Sequence, residues 1–370
     1  MRVLQLLVST RLGGGSRHVF DLTRGLAATG VTPIVAAPRD GPFFERFEKA
    51  GIETHAAALN RLSPQTLARV VGLARRQRVD VVHSHGKGAG LYGRLAARML
   101  GLPAVHTFHG LHHERYRPLA RRAYVRLEAA LARFTRTVIN VTESQQATGV
   151  ALGLFRLSRS VVIPNGVDAA EIDALVAGRA VTRGAQGLAL DDLVVGSVAR
   201  FDAVKALDEL LEAVHRARAT TPRLRAVLVG TGPEEGRLYA RTHTLGLDDT
   251  VIFTGPVEDA VRLFAAWDLY VTASRVEGLP LTVLEAMACR RAVVATDIPG
   301  HGVAITEGVT GLLTPPGDVD ALSRAMESLL ASPARRRDMG EAGRRRVEAD
   351  FALGPMVARV VDVYEKAAKP

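Results

Sequence analysis

Two glutamates on either side of a predicted helix start are the residues of this sequence best suited to chemistry. The apolar run 269–273 predicts a buried strand, and Glu277 follows it in the next loop. Pro280 suits the first position of a helix, because it has no N–H to satisfy there and its φ is already helical. Glu285 is the one charged residue in the helix predicted over 281–289, where a carboxylate is costly unless a polar group meets it.

This pattern favours a ligand that carries a phosphate between two sets of hydroxyl groups. The free amides of a helix N-terminus attract anions, and phosphates above all. The two carboxylates can accept hydrogen bonds from hydroxyls on either side, which is the layout of a nucleotide sugar. The spacing alone leaves an alternative, in which one glutamate is favoured by the helix dipole and the other is buried by chance.

A pair of cations follows another predicted strand. Arg200 comes directly after the run 194–199, and Lys205 stands before the helix predicted over 207–217. An Arg fork and a Lys point charge together suit a diphosphate. Two solvated surface cations are the alternative, and the two glutamates favour the diphosphate interpretation.

Histidines are concentrated after two further predicted strands. Six of the eleven occur there: His83, His85, His106, His109, His112 and His113. Imidazole nitrogens suit zinc and similar ions, so the clusters leave a metallohydrolase open, although Glu114 is the only acid close by. Turn histidines with satisfied hydrogen bonds are the alternative for His106, His112 and His113.

The glycine run 13–15 and Ser16 lie between a strand predicted over 2–9 and a helix predicted over 17–28. Strand, glycine loop and helix form a phosphate-binding arrangement in general terms. The run does not have the Gly-x-Gly-x-x-Gly spacing of a dinucleotide fingerprint, and a tight turn is the alternative.

Strands that alternate with helices along the chain predict an α/β fold with parallel sheets. A length of 370 residues favours two domains, which we place at 1–170 and 190–350 with a linker at 171–189. The last helix, 355–370, is expected to pack back on the first domain. Nearly every charged or unusual residue follows the carboxyl end of a predicted strand, where open α/β sheets place their ligand sites.

Charge and composition restrict the class of protein. The net charge of +10 and the pI of about 10.3 favour anionic partners, but aromatic residues are only 5% and no nucleic-acid-binding motif is present, so we expect no nucleic acid. The single cysteine, Cys289, fits a reducing compartment. With neither a signal peptide nor an apolar run of about 20 residues, a cytoplasmic protein is expected. The basic helix predicted over 115–136 either touches an anionic membrane or packs on the core with a solvated basic face.

The spacing of Glu277 and Glu285, within Glu-Gly-Leu-Pro and Leu-Glu-Ala-Met-Ala, resembles the signature of the retaining glycosyltransferases of group 1, or family four. Nearly the whole chain takes part in the resemblance, including Ile-Pro-Asn-Gly-Val-Asp at 163–168. It implies the GT-B fold, in which two doubly wound Rossmann-like domains face a cleft. One departure is Ala206, where the family has glycine after the lysine.

The resemblance also implies an activity and a set of site residues. The activity is transfer of a hexosyl or related sugar from a nucleotide diphosphate sugar, UDP favoured over GDP, to a glycan or lipid-linked acceptor, without metal or cofactor. The catalytic residues would be His109, Arg200, Lys205 and Glu277. The donor-binding residues would be Gly230, Gly232, Gly255, Val257, Gly278, Leu279 and Glu285, and the acceptor or phosphate loop Gly14, Gly15 and Ser16. A GT-B nucleotide-sugar epimerase would share the fold and the nucleotide site, and stays an alternative beside the metallohydrolase.

Overall fold

The structure, a computed structural model, describes residues 1–61, 63–111, 117–176 and 178–369. His112, His113, Glu114 and Arg115, which are named above, lie outside the described residues. The chain forms two compact units, Met1–Gly166 with Leu353–Pro370, and Val167–Ala352.

Strands and helices alternate along nearly the whole of both units. The strands are Arg2–Leu7 (β1), Thr32–Ala37 (β2), Glu53–Ala56 (β3), Val81–His85 (β4), Ala104–Phe108 (β5), Thr137–Asn140 (β6), Ser160–Val162 (β7), Leu193–Val198 (β8), Leu224–Val229 (β9), Val251–Gly255 (β10), Leu269–Thr272 (β11), Ala292–Thr296 (β12) and Gly311–Thr314 (β13). The helices are Gly14–Ala27 (α1), Pro42–Lys49 (α2), Pro64–Arg76 (α3), Lys87–Leu100 (α4), Pro118–Ala132 (α5), Glu143–Ala151 (α6), Ala169–Leu175 (α7), Arg179–Ala185 (α8), Leu207–Arg218 (α9), Glu235–Thr244 (α10), Leu281–Ala288 (α11), Pro299–Ala304 (α12), Val319–Leu330 (α13), Pro333–Asp350 (α14) and Leu353–Ala368 (α15).

Each unit contains one parallel sheet, as the alternation predicts. The first sheet has the strand order β3-β2-β1-β4-β5-β6-β7, and the second has the order β10-β9-β8-β11-β12-β13. Every strand pair is parallel, and strands such as β1, β4 and β5 are almost entirely buried because helices cover both faces. The predicted α/β class with two doubly wound sheets is confirmed.

The last helix belongs to the first unit. Its residues Val357, Val360 and Tyr364 are buried in a cluster that also contains Val3 of β1 and Leu22 of α1. The apolar stripe of α15 therefore covers one face of the first sheet.

The segment 171–189 contains helical structure inside the second unit, whereas the sequence pattern predicts a linker there. Arg183 of α8 is fully buried, and its Nη1 donates to the carbonyls of Ala189, Leu190 and Asp192 at 2.8 Å each. Its Nη2 lies 2.8 Å from Asp268 Oδ2, an ion pair between residues far apart in the sequence. The hydrophobic periodicity of this segment is weak, because polar contacts of a buried arginine hold it in place. The sequence therefore does not predict its helices.

Helix α5 presents a different face to the core from the one that its apolar pattern indicates. The sequence predicts an apolar stripe here, formed by Leu119, Ala123, Leu127, Ala130, Leu131 and Phe134. Of these, Leu131 is buried, whereas Leu119, Leu127 and Phe134 are 79%, 47% and 39% exposed. The buried side also carries Glu128, which forms an ion pair with the buried Arg94 of α4 at 2.7 Å. The core-packed alternative is therefore wrong for most of this stripe.

Within the described part of the chain, none of the helices combines the length and the apolar character that a bilayer span requires.

Candidate functional site

The strand order of the second unit places its candidate residues at one point of the sheet. Strands β8 and β11 are neighbours, and the order reverses between them. A crevice forms at such a switch point, outside the carboxyl ends of the strands, and open α/β proteins bind ligands there. Arg200 and Lys205 follow β8, and Glu277 follows β11, so all three reach this edge.

Lys205 and Glu277 form a hydrogen-bonded ion pair, in which Nζ donates to Oε1. The side chains are 23% and 15% exposed, so the pair is partly shielded from water and still accessible. The loops that carry them are joined by the Arg275 N–H, which donates to the Val204 carbonyl at 2.8 Å. A cation and a carboxylate are thus held together by backbone contacts between the two loops.

Arg200 lies beside this pair in the sequence but is more exposed. Its side chain is 64% exposed, and its Nε donates to Asp202 Oδ2 at 2.8 Å. Ala206, which departs from the family pattern, has a left-handed backbone with φ of 47° and precedes α9. An L-residue in that region is strained relative to glycine, so the left-handed backbone at Ala206 is one that glycine would adopt at lower cost.

Gly230 and Gly232 support the loop of Arg200 from the neighbouring strand. A Cβ on Gly230 would lie 1.9 Å from the Ala199 carbonyl oxygen, and one on Gly232 would lie 2.3 Å from that of Phe201. Close backbone packing therefore requires both glycines. Gly255 ends β10 with φ of 69°, and Val257 follows in the next loop, half-buried.

The loop of Glu277 and Gly278 packs equally closely against the start of α12. A Cβ on Gly300 would lie 2.2 Å from the Gly278 carbonyl oxygen, so only glycine fits there. Leu279 is buried, and α11 begins at Leu281, where the helix is predicted, with Pro280 at the N-cap instead of the first helical position. Glu285 is half-buried in the second turn of α11, where most of its neighbours are fully buried.

Two further residues, which are not among those predicted from the sequence, lie near the pair. Tyr270 of β11 is buried, which raises the pKa of its hydroxyl above the usual range. His301 of α12 follows Gly300 and is buried. Burial lowers the pKa of its imidazole, and the nearby Glu277 carboxylate raises that pKa to a smaller extent. Its Nδ1 donates to the Thr296 carbonyl at 2.7 Å, while Nε2 has no partner among the described residues. His301 follows β12 at this edge, which is the signal that could have identified it, whereas Tyr270 lies inside β11, where the pattern indicates only a core position.

The first unit repeats this arrangement with histidines. Its strand order reverses between β1 and β4, and His85 is the last residue of β4. His109 follows β5, and its Nε2 lies 3.1 Å from His85 Nδ1 with the two rings stacked. His18 of α1 meets His109 edge-on at 4.7 Å between ring centroids. His18 is not among the residues predicted from the sequence, although it lies two residues after the glycine and serine run.

Burial keeps these imidazoles neutral. It lowers the pKa of His18 to about 4, and the pKa of His85 and that of His109 fall well below the usual value through burial and mutual repulsion with nearby histidines. Within the described ranges, His18, His85 and His109 form a group whose ligand atoms all lie within 4.8 Å of one another, close enough to hold a metal ion. His106 lies in the core instead, where its Nδ1 bonds Ser84 Oγ at 2.9 Å.

The predicted glycine loop is the first turn of α1. Gly14 is the first helical residue, three positions earlier than the pattern predicts, and Gly15 is exposed. Ser16 is buried, and its Oγ donates to the Ser9 carbonyl at 3.1 Å. A helix N-terminus that begins with two side-chain-free residues leaves its first amides accessible to an anion.

Two family models and several sequence relatives match most of this chain. The family model "Glycosyl transferases group 1" matches residues 179–346, and "Glycosyltransferase Family 4" matches residues 12–171. The D-inositol 3-phosphate glycosyltransferase of Geodermatophilus obscurus is 30% identical, and the alignment covers 96% of this chain and 85% of that protein. The enzyme of the same name from Mycobacterium sp. (strain KMS) is 36% identical over 70% of this chain and 61% of its own length.

Solved structures show the same fold at lower identity. Anabaena HepE in complex with UDP-glucose superposes with a TM-score of 0.89 at 23% identity, and covers 99% of this chain and 100% of its own. Sucrose-phosphate synthase from Thermosynechococcus elongatus gives a TM-score of 0.83 at 24% identity, with coverage of 99% and 98%. These matches do not favour the epimerase and metallohydrolase alternatives.

Proposed function

We propose, from the premise that this chain belongs to the group 1 and family 4 glycosyltransferases and has their GT-B fold, that it transfers a sugar from a nucleotide diphosphate sugar to an acceptor hydroxyl with retention at the anomeric carbon. The observation that supports this most is the Lys205–Glu277 pair at the carboxyl ends of neighbouring strands. A diphosphate needs a cation, and a sugar needs hydrogen-bond acceptors for its hydroxyls. The pair supplies both at one point.

Each residue near the pair has a role that follows from its chemistry. Lys205 and Arg200 would stabilise the charge that develops on the leaving diphosphate, which is an electrostatic role. Glu277 would accept hydrogen bonds from sugar hydroxyls, with the amides of Gly278 and Leu279 beside it. Glu285, further along α11, would accept those of the ribose.

The bond changes balance without a protein nucleophile. The acceptor oxygen forms a bond to the anomeric carbon on the same face from which the diphosphate leaves, and the bond from that carbon to the phosphate oxygen breaks. The proton of the acceptor hydroxyl passes to the departing diphosphate. His109, a neutral imidazole, would hydrogen-bond the sugar during this step. No cofactor takes part, and the cations named above replace a divalent metal.

A UDP-sugar is the proposed donor, in preference to a GDP-sugar. The support is the structural neighbour HepE, whose solved complexes contain UDP and UDP-glucose. The acceptor is proposed to be a glycan or a lipid-linked glycan precursor in cell-surface synthesis. Relatives that act on D-inositol 3-phosphate make that polyol the first soluble acceptor to test.

The test is a thermal-shift screen against UDP, GDP, ADP and their glucose conjugates. A ligand that binds only the folded state raises the melting temperature, so UDP and UDP-glucose are expected to raise it selectively. Lys205→Ala should reduce the shift, whereas the exposed Lys49→Ala should keep it. Product formed with acceptor and not without it excludes the epimerase, and the anomeric configuration of that product tests retention. A protein that responds to none of these nucleotides contradicts the proposal.

We also propose that α5 attaches the enzyme to the surface of an anionic membrane. Leu119, Leu127 and Phe134 are exposed on the helix and its end, and the exposed arginines of the same helix are Arg121, Arg122 and Arg126. Apolar side chains that enter the headgroup boundary and cations that meet anionic lipid are complementary to such a membrane.

Vesicle sedimentation tests this attachment. Binding should rise with the fraction of anionic lipid and fall with salt, because the Debye length shortens as ionic strength increases. The double variant Leu119→Ser/Leu127→Ser should lose binding, and Arg337→Glu on α14, an exposed arginine on another helix, should keep it. Equal and negligible binding to neutral and anionic vesicles would leave α5 a solvated helix.

A further inference from the structure

A chain of buried hydrogen bonds connects His109 to the last helix of the protein. Five contacts make up the chain: His109 Nε2 to His85 Nδ1 at 3.1 Å, His85 Nε2 to Gln5 Oε1 at 2.8 Å, Gln5 Nε2 to Tyr364 Oη at 2.9 Å, Tyr364 Oη to His83 Nδ1 at 2.6 Å, and His83 Nε2 to Thr107 Oγ1 at 2.8 Å. Tyr364 is the only member from α15, and more than 250 residues separate it from each of the others. All members belong to the first unit.

The chain is closed to water along nearly its whole length. Gln5, His83 and Tyr364 are 0% exposed, and His85 is 4% exposed. Burial lowers the pKa of His83 to about 3 and holds the pKa of His85 well below its usual value, so both rings carry one proton. Each neutral ring then has one N–H donor and one lone pair.

In a neutral ring the two nitrogens have opposite roles, so the direction of each bond fixes the next. The Gln5 amide donates to Tyr364 through Nε2 and accepts from His85 through Oε1. His85 therefore carries its proton on Nε2, and its Nδ1 accepts from His109 Nε2–H. Tyr364 in turn donates its only proton to His83 Nδ1. If the Gln5 amide were rotated by half a turn, every bond from Tyr364 to His109 would reverse.

We propose that Tyr364 is a positioning residue that sets the tautomer and the ring orientation of His109 through Gln5 and His85. It does so because a hydroxyl that gives its only proton to His83 Nδ1 can only accept from Gln5, which turns Nε2 of the amide toward Tyr364 and Oε1 toward His85. The role of His109 itself rests on the proposed function. The last helix thereby contributes to the site although none of its residues lies in a loop at the carboxyl edge of a sheet.

Tyr364→Phe tests the proposal, because it removes the hydroxyl and keeps the ring that packs in the core. The turnover number kcat should fall about tenfold, the usual effect of one lost hydrogen bond, with little change in the KM of the nucleotide sugar. Tyr92→Phe is the matched control: Tyr92 is a buried tyrosine of the same unit whose hydroxyl bonds the backbone of Arg61 and Ser63, away from His109. It should lose comparable stability and retain full kcat.

A second variant tests whether the effect passes through the chain. Gln5→Met breaks the next link, so it should lower kcat by a similar factor. The double variant Tyr364→Phe/Gln5→Met should then be no worse than the poorer single variant, because members of one network are not additive. If the two substitutions lowered kcat additively, the chain would not be connected. A Tyr364→Phe enzyme with the same kcat as Tyr92→Phe would also contradict the proposal.

A measurement without substrate separates this inference from the proposed function. Nitrogen-15 spectra of histidine-labelled protein distinguish a protonated ring nitrogen from one with a lone pair. His109 should show a single tautomer protonated at Nε2 in the wild type and in Tyr92→Phe, and a mixture in Tyr364→Phe. An unchanged tautomer in Tyr364→Phe overturns the inference even if transfer is observed. A change of tautomer in a protein without transferase activity supports the chain and contradicts only the function.

Discussion

The sharpest prediction concerns Lys205, because its partner, its exposure and its neighbouring strands are all defined. Lys205→Ala removes the cation that donates to Glu277 and leaves the loops otherwise joined by the backbone contact of Arg275 with Val204. The pair is 23% and 15% exposed, between a surface and a buried ion pair. Its loss should therefore lower the free energy of unfolding by about 1–2 kcal/mol, and the enzyme should remain folded.

The effect on function should be much larger than the effect on folding. A charge-assisted hydrogen bond to a diphosphate contributes about 1.5–3 kcal/mol, so the Kd for the nucleoside diphosphate should rise about 10- to 150-fold. The charge on the leaving group increases in the transition state, so kcat should fall about 100- to 1,000-fold, as when one oxyanion donor is removed. Calorimetric titration with UDP and steady-state kinetics with UDP-glucose measure the two quantities.

Lys49→Ala is the control for the loss of one lysine charge. Its ammonium lies 3.8 Å from Glu45 on α2 and is 79% exposed, so neither kcat nor Kd should change. Glu277→Gln and the double variant then complete a cycle, which should be strongly non-additive if both side chains act on one ligand. A folded Lys205→Ala enzyme whose kcat stays within about threefold of the wild type would refute the assignment of this lysine.

Three further positions and one reagent give the remaining predictions. Glu285→Ala should weaken nucleotide binding by about 1.5–3 kcal/mol without unfolding the protein, and an unchanged Kd by calorimetry would exclude a role in ribose binding. Transfer should persist in excess EDTA, since Arg200 and Lys205 are proposed to take the place of a metal; activity that EDTA abolishes and zinc restores would place the histidine cluster at the centre of the mechanism. Arg183→Leu should lower the free energy of unfolding by about 3–5 kcal/mol in urea titrations, as the loss of a buried ion-pair partner does; Arg179→Leu, which removes a 41% exposed partner of the same aspartate, should cost about 1 kcal/mol or less. Gly230→Ala should unfold the protein or lower its melting temperature sharply, while Gly236→Ala in α10, where a Cβ meets nothing within 4 Å, should raise it.

The second-unit site follows from the sequence because parallel sheets impose a strong constraint. A residue that follows a strand in such a sheet must lie at the carboxyl edge, whichever strand it follows. Arg200, Lys205 and Glu277 can thus be assigned to one edge from periodicity alone. Periodicity does not show which strands are neighbours, so the contact between Lys205 and Glu277 needs the observed pairing of β11 with β8.

Polar residues inside apolar elements are what sequence reasoning misses. Gln5 interrupts a buried strand, and Tyr364 lies in the apolar stripe of α15, so each has the pattern of a core position. Their function depends on hydrogen bonds between residues separated by 359 positions, which no local pattern encodes. The burial of Arg183 is missed for the same reason, because it depends on hydrogen-bond and ion-pair partners that no local pattern indicates.

The glycines near Arg200 show how one residue pattern can have two physical origins. The resemblance assigns Gly230 and Gly232 to donor binding, yet a Cβ at either position would collide first with the backbone at Ala199 or Phe201. Packing alone is a sufficient reason for glycine there, whether or not a ligand approaches. Lys205 differs, because a partly exposed lysine paired with a glutamate is not required by packing. Variants of the glycines therefore test the scaffold, and variants of the ion pair test the chemistry, so a loss of activity can be attributed to ligand binding only at the second kind of position.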